Sequence, residues 1–251
     1  MRTIHVIGIG AGDPDYVTAQ AIAALNDTEV FFAMDKGASK SDLVALRRHV
    51  CERFIAHPRY RFVELADPPR AREGDYLQAV ADWHDARARV WAAAIESELG
   101  PDGVGAFLAW GDPSLYDSTL AILDDILARA ELAFSVEVIP GISSVSTLAA
   151  RHRVGLNQVG RPIQITTGRR LAKEWPDGVD DVVVMLDAQT AFTEHLDQDA
   201  DIYWGAYLGT PDELLVSGPL REVAPEIEKV RAEARDRKGW IMDTYLLRRH
   251  S

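Results

Sequence analysis

Short apolar runs alternate with longer stretches of helical periodicity along most of the first half of the chain. Thr3 to Ile9, Glu29 to Ala33, Arg61 to Leu65 and Val104 to Trp110 read as strands, and the first and last run directly into glycine turns. Between them lie three helical segments. One is capped by Asp15 or Thr18 and runs through Leu25, and one is opened by Ser39 or Ser41 and runs to about Phe54. The third, Tyr76 to Leu99, is long and amphipathic, with Val80, Trp83, Val90 and Ile95 among its apolar positions. Ser118 to Ala130 (helix), Ser135 to Ile139 (strand) and Ser143 to His152 (helix) continue the alternation. After that the strands crowd: Arg161 to Thr166, Asp181 to Leu186, Ile202 to Leu208, Leu214 to Val216 and Trp240 to Leu247, with one charged helix from Glu222 to Arg237. Alternation followed by crowding predicts an α/β N-terminal domain, residues 1–114, and a C-terminal α/β domain with a mixed sheet, residues 115–251.

Composition narrows this picture only a little. The 251 residues are 47% hydrophobic and carry a net charge of −12, so a sizeable core is expected and a nucleic-acid surface is not. No apolar run reaches the roughly 20 residues needed to span a bilayer. Cys51 is the single cysteine, which excludes an intrachain disulfide, and the expected compartment is the cytoplasm. The seven histidines show no paired i, i+4 spacing, so no metal site is expected. Arginines cluster in pairs (47/48, 59/61, 70/72, 169/170, 248/249), a pattern that suits carboxylate recognition.

The chemistry concentrates in two turns, Gly8-Ile9-Gly10-Ala11-Gly12-Asp13-Pro14 and Trp110-Gly111-Asp112-Pro113-Ser114-Leu115-Tyr116. The first is not a dinucleotide fingerprint, because Asp13 and Pro14 stand where that motif needs a glycine and helix N–H groups. A phosphate-binding loop is excluded as well, since no Gly-Lys-Ser/Thr follows.

Together with Pro140-Gly141-Ile142-Ser143-Ser144, these turns resemble the tetrapyrrole methylases, over nearly the whole chain. Further segments narrow the resemblance within that family: Met34-Asp35-Lys36-Gly37, Thr166-Thr167-Gly168-Arg169-Arg170, Trp204 to Gly209 and Gly239 to Leu247. The resemblance implies two α/β domains with a cleft between them that holds S-adenosylmethionine, usually in a homodimer. It implies methylation of a precorrin, precorrin-5 on the narrower reading, with release of an acyl group as acetate. The rival readings are a precorrin methylase without deacylation and a non-catalytic module that binds a nucleotide or tetrapyrrole. The residues expected at the cofactor are Pro14, Trp110, Gly111, Asp112 and Leu115, then Ser143, Ser144, Met185, Leu186, Tyr207 and Leu208. Met185-Leu186-Asp187 stands where many relatives have Tyr-Met-Gly.

Methyl transfer needs orientation and exclusion of water, whereas acyl cleavage by water also needs a base. Asp13, Asp112, His152, Asp187 and Asp243 are the candidates in or near the motifs. Asp243 is the first choice, because a carboxylate inside the apolar Trp240 to Leu247 run invites a raised pKa, and Asp112 is the second. Hydrogen bonding to their own turns is the competing account of Asp13 and Asp112, and pairing with an arginine that of Asp243. Arg169 and Arg170 are expected at the substrate's carboxylates, and Trp110 and Trp204 near its flat macrocycle.

Overall fold

The structure, a computed structural model, describes residues 1–35, 41–69 and 76–250. Lys36, Gly37, Ser39, Arg70 and Arg72 therefore lie outside the described residues. The chain divides into two compact units, Met1–Gly10 with Pro14–Ile142, and Ala11–Asp13 with Ser143–Ser251.

The first unit contains β1 (Thr3–Gly8), α1 (Ala19–Asp27), β2 (Val30–Asp35), α2 (Ser41–Phe54), β3 (Arg61–Ala66), α3 (Tyr76–Glu98), β4 (Val104–Ala109), α4 (Thr119–Ala128) and β5 (Ser135–Ile139). Its strands form a wholly parallel sheet in the order β3-β2-β4-β1-β5. Period-two alternation explains why helices cover both faces. Ile4, Val6, Phe32 and Phe107 point into one cluster with Trp91 and Ile95 of α3, and Ile7, Phe31, Ala106 and Leu108 into another with Ala21 and Leu25 of α1. On the first face Trp91 stacks on Phe107 at 4.2 Å between ring centres. Thr18 caps α1 by accepting from the Ala21 N–H at 3.1 Å.

The second unit contains α5 (Ser144–His152), β6 (Ile163–Thr167), the one-turn α6 (Gly168–Leu171), β7 (Asp181–Met185), β8 (Ala200–Ala206), β9 (Leu214–Pro219), α7 (Leu220–Lys238) and β10 (Asp243–Arg249). The sheet order is β6-β7-β10-β8-β9, with β6 and β7 parallel and β10 antiparallel to both of its neighbours. Its core joins Val182, Val184, Ile202, Trp204 and Tyr245 to Leu220, Ala224, Ile227 and Ala234 of α7.

Several boundaries differ from expectation, and two of them have a clear structural reason. The units part at Ile142 and Ser143 rather than at 114/115, because α4 and β5 belong to the first sheet: β5 pairs with β1 from Thr3 through Ile7. The last strand begins at Asp243 rather than Trp240. Gly239, at φ 76°, ends α7 in the left-handed region, and residues 240–242 serve to bring the chain onto the sheet. No described helix is long and apolar enough to cross a membrane.

Candidate active site

In the first unit, three turns meet backbone to backbone at the carboxyl edge of the parallel sheet. Gly10 and Gly111 form an isolated antiparallel bridge, the Gly111 N–H donating to the Gly10 carbonyl at 2.8 Å. Both residues have positive φ, 81° and 74°. Gly141, after β5, is tighter still: a Cβ there would lie 2.1 Å from the Gly111 carbonyl oxygen and 2.8 Å from Gly8. The glycines of the motifs are thus needed first for one another.

Asp112 locks this arrangement. Its Oδ1 accepts from the Ser114 N–H at 2.8 Å and from the Ser114 hydroxyl, and its Oδ2 accepts from the Gly141 N–H at 2.9 Å. Partial desolvation pushes its pKa up, but the hydrogen bonds from Ser114 and Gly141 outweigh it and leave the carboxyl below its ordinary value. A carboxylate so well solvated by its own turn is a poor proton acceptor. The turn-bracing account replaces the catalytic one. Leu115 follows within the same turn, its N–H donating to the Asp112 carbonyl at 3.2 Å, and Pro14 opens a short 3-10 turn through Tyr16.

Beside this edge lies a cavity of about 510 Å³ at the ends of β2 and β4, roofed by α3 and by residues 116–121. Trp83, Trp91 and Phe107 give it flat apolar walls, and Arg47, His84, Tyr116 and Asp117 give it polar groups. Arg47 donates through Nε to the Leu108 carbonyl at 3.1 Å. Desolvation lowers its pKa, against the field of the Asp117 carboxylate. Arg87 is committed to a bidentate pair with Asp67, at 2.8 and 2.6 Å, with its guanidinium 3.7 Å from the Trp83 ring centre.

In the second unit the expected residues gather at one sheet edge. The register sets Thr244 of β10 between Met185 of β7 and Gly205 of β8, so the exits of both strands flank it. The Thr244 hydroxyl donates to the Ser144 hydroxyl at 3.2 Å. Leu186 and Tyr207 both leave their strands with positive φ, 54° and 50°, conformations unusual for such side chains. Leu186 is 63% exposed. Ser143 spends its hydroxyl capping α5, accepting from the Ser146 N–H at 3.2 Å. Gly12 packs here as well, since a Cβ on it would lie 2.6 Å from the Leu208 carbonyl.

Other expectations are corrected. Asp243 is buried, and its Oδ2 accepts from Arg231 Nε at 2.8 Å and from Trp204 Nε1 at 3.0 Å. Desolvation does raise its pKa, despite the opposing Arg231 guanidinium. Held between an arginine and an indole in the interior, it is engaged as the competing account of an arginine pair expects. Trp204, fully buried in the same contact, is core and not a macrocycle platform. His152 is a packing histidine, bonded through Nε2 to the Trp204 carbonyl at 3.0 Å. Arg169 and Arg170 are exposed in the single turn of α6. Arg248 pairs with the buried Asp181, and Arg249 lies over Trp175.

Sequence reasoning missed Arg231 and Tyr245. Arg231 falls on the stripe of α7 that carries Leu220, Ala224, Ile227 and Ala234, and an arginine on an otherwise apolar helical stripe is the signal that could have found it.

A sheet edge braced by glycine turns, and another where hydroxyls and left-handed turns gather, define an α/β protein that handles a small molecule at its strand ends. A family model described as tetrapyrrole (corrin/porphyrin) methylases matches residues 3–224, and the chain belongs to that family. It is 50% identical, over 99% of its own length and 96% of the relative's, to a precorrin-6A synthase [deacetylating] of Sinorhizobium sp. It superposes on the crystal structure of the cobalamin synthesis related protein CobF of Corynebacterium diphtheriae with a TM-score of 0.87 and 39% identity, covering 100% of both chains. A uroporphyrin-III C-methyltransferase of Thermus thermophilus, solved in complex with S-adenyl homocysteine, shares the fold at TM-score 0.56 and 19% identity, over 98% of this chain and 96% of that one.

Proposed function

We propose that this protein is an S-adenosylmethionine-dependent C-methyltransferase of cobalamin biosynthesis that converts precorrin-5 to precorrin-6A and releases acetate. The observation that carries this reading is the 50% identity to the deacetylating precorrin-6A synthase, which extends through both units. A homodimer in the cytoplasm is the assembly and compartment that go with it.

The residues of the second unit fit such a cofactor. Exposed Leu186, on a left-handed backbone beside the Ser144 and Thr244 hydroxyls, offers neutral polar groups with little reorganisation on binding. Ser144, Met185, Leu186, Tyr207 and Leu208 would hold it there. When bound, S-adenosylmethionine supplies an electrophilic methyl group. The chain's own contribution is to fix the accepting carbon in line and to keep water out.

The aromatic cavity of the first unit suits one carboxylate-bearing arm of a macrocycle. Arg47 is the cation that would meet it. In the second unit, exposed Arg169 and Arg170 remain the candidates for recognising substrate carboxylates. With Asp112 and Asp243 both spent on structure, Asp117 and His84 are the groups lining that cavity that could take a proton from the attacking water.

One incubation tests the whole reading: precorrin-5 with methyl-labelled S-adenosylmethionine, followed by mass analysis. Label in the tetrapyrrole with an equivalent of acetate and of S-adenosylhomocysteine is expected. Label without acetate would make it a methylase alone, and no S-adenosylhomocysteine would make it a binding module.

A further inference from the structure

The turn after β7 is held far more firmly than an exposed loop requires. Leu186 sits at φ 54° with most of its side chain in solvent, an arrangement that stabilises nothing by itself. The next residue, Asp187, is buried, and five groups converge on it. Its Oδ1 accepts from the Gln189 N–H at 2.9 Å, and its Oδ2 from the Ala191 N–H at 2.6 Å and the Tyr245 hydroxyl at 2.7 Å. Its carbonyl accepts from Arg231 Nη2 at 2.6 Å, while the same guanidinium reaches Asp243 and through it Trp204. Gly168 opens α6 directly against the carboxylate, where a Cβ would come within 2.5 Å of Cγ. The start of α6, the turn after β7, Tyr245 of β10 and Arg231 of α7 therefore fix a single residue, with Asp243 and Trp204 holding Arg231 from behind.

Buried charge of this kind is seldom the most stable way to fill a core, and its best-attested use is to specify one conformation. We propose that the network is a positioning device for the cofactor. It holds residues 185–187 in the one backbone conformation that receives S-adenosylmethionine, with Arg231 and Tyr245 as positioning residues that never touch the ligand. The inference rests on the cofactor reading above. It also explains two segments of this sequence at once, because Gly168 of the Thr-Thr-Gly segment makes the room that Asp187 occupies.

Calorimetric titration with S-adenosylhomocysteine, alongside steady-state kinetics, tests it. Failure of the wild-type protein to bind would sink the cofactor reading itself. Given wild-type binding, Tyr245→Phe should remain folded, weaken S-adenosylhomocysteine about five-fold or more, and raise KM for S-adenosylmethionine by a similar factor. At saturating cofactor its kcat should stay within about two-fold of wild type, since the bound geometry is recovered once the turn is filled. A purely structural role would lower thermal stability and leave affinity and KM alone. Unchanged affinity in folded Tyr245→Phe overturns the proposal, and so does a fall in kcat at saturating cofactor as large as the loss of affinity. If Tyr245→Phe does not fold, Trp204→Phe, which removes one donor to Asp243, takes its place with the same expected outcomes.

Discussion

The two sheet edges reach ordered turns by opposite means. At the parallel edge, side chains are left out: Gly8, Gly10, Gly111 and Gly141 let three turns touch through their backbones, and one carboxylate ties them together. At the mixed edge, side chains are put in: Asp187, Asp243, Arg231, Trp204 and Tyr245 fill the interior with charge and hydrogen bonds. The two carboxylates show the consequence. Hydrogen bonds outweigh desolvation at Asp112 and hold its pKa down, whereas desolvation dominates at Asp243 and pushes it up. An edge built by omission tolerates no added atom, and one built from buried charge tolerates no lost partner.

The largest effect should come from breaking the second kind. Arg231→Met keeps most of the bulk but leaves the buried Asp243 carboxyl without its cation, a loss of about 3–5 kcal/mol in denaturant unfolding. A loss below about 1 kcal/mol would mean that Asp243 reaches solvent and that the network is not closed.

Breaking the first kind should come next. Gly141→Ala drives a Cβ against the Gly111 carbonyl, a backbone atom that cannot swing aside, so about 3 kcal/mol of stability should go. The same substitution at Gly100, where a Cβ would meet nothing within 4 Å, is the control and should be close to neutral. If both variants unfold at the wild-type midpoint, the close approach of the turns is not a feature of the protein in solution.

The difference between the edges also decides what the sequence could reveal. The glycine turns were legible because each ligand of Asp112 lies in a named motif, Ser114 two residues on and Gly141 in the Pro-Gly segment. The parallel sheet was legible for the same reason, since each strand carries its own period-two pattern and its own turn. The side-chain partners of Asp187 sit 44 and 58 residues away, on elements whose local patterns say only helix and strand. Asp243 was visible as an odd carboxylate, but its arginine was not, and a carboxylate without its visible partner reads as a base. The boundary at 114/115 failed similarly: nothing local to Ser135–Ile139 says that it pairs with β1, more than a hundred residues earlier.

A third prediction uses pH to set the edges apart. Asp112 has a folded-state pKa below its ordinary value, so its stabilisation is fully present above the ordinary carboxylate range and is lost as pH falls through the folded-state pKa. Asp112→Asn should therefore cost about 1.5–3 kcal/mol at neutral pH, from the weakened bonds to Ser114 and Gly141. The gap between variant and wild type should close as the solution is taken to acid. Asp243 has the opposite sign: its raised pKa favours the protonated form, so its contribution declines as pH rises through that value. A Tm series against pH for Asp112→Asn and Asp243→Asn, each set against wild type, reads the two signs directly, and parallel curves would refute the contrast.

The smallest expected effect concerns what the two units share. Thr18 and Ser143 each cap a nine-residue helix through one side-chain oxygen, which accepts from a first-turn N–H at 3.1 and 3.2 Å. A lost cap is worth about 1 kcal/mol in either case, since it is a local bond that neither glycine packing nor buried charge alters. Thr18→Ala and Ser143→Ala should therefore lose similar amounts. Ser143 carries a further question, because it was expected at the cofactor and its hydroxyl is engaged in the cap. If the cap is its whole role, Ser143→Ala should lose stability and keep its affinity for S-adenosylhomocysteine. A ten-fold loss of affinity at unchanged Tm would instead put the hydroxyl on the ligand and leave α5 to be capped by other means.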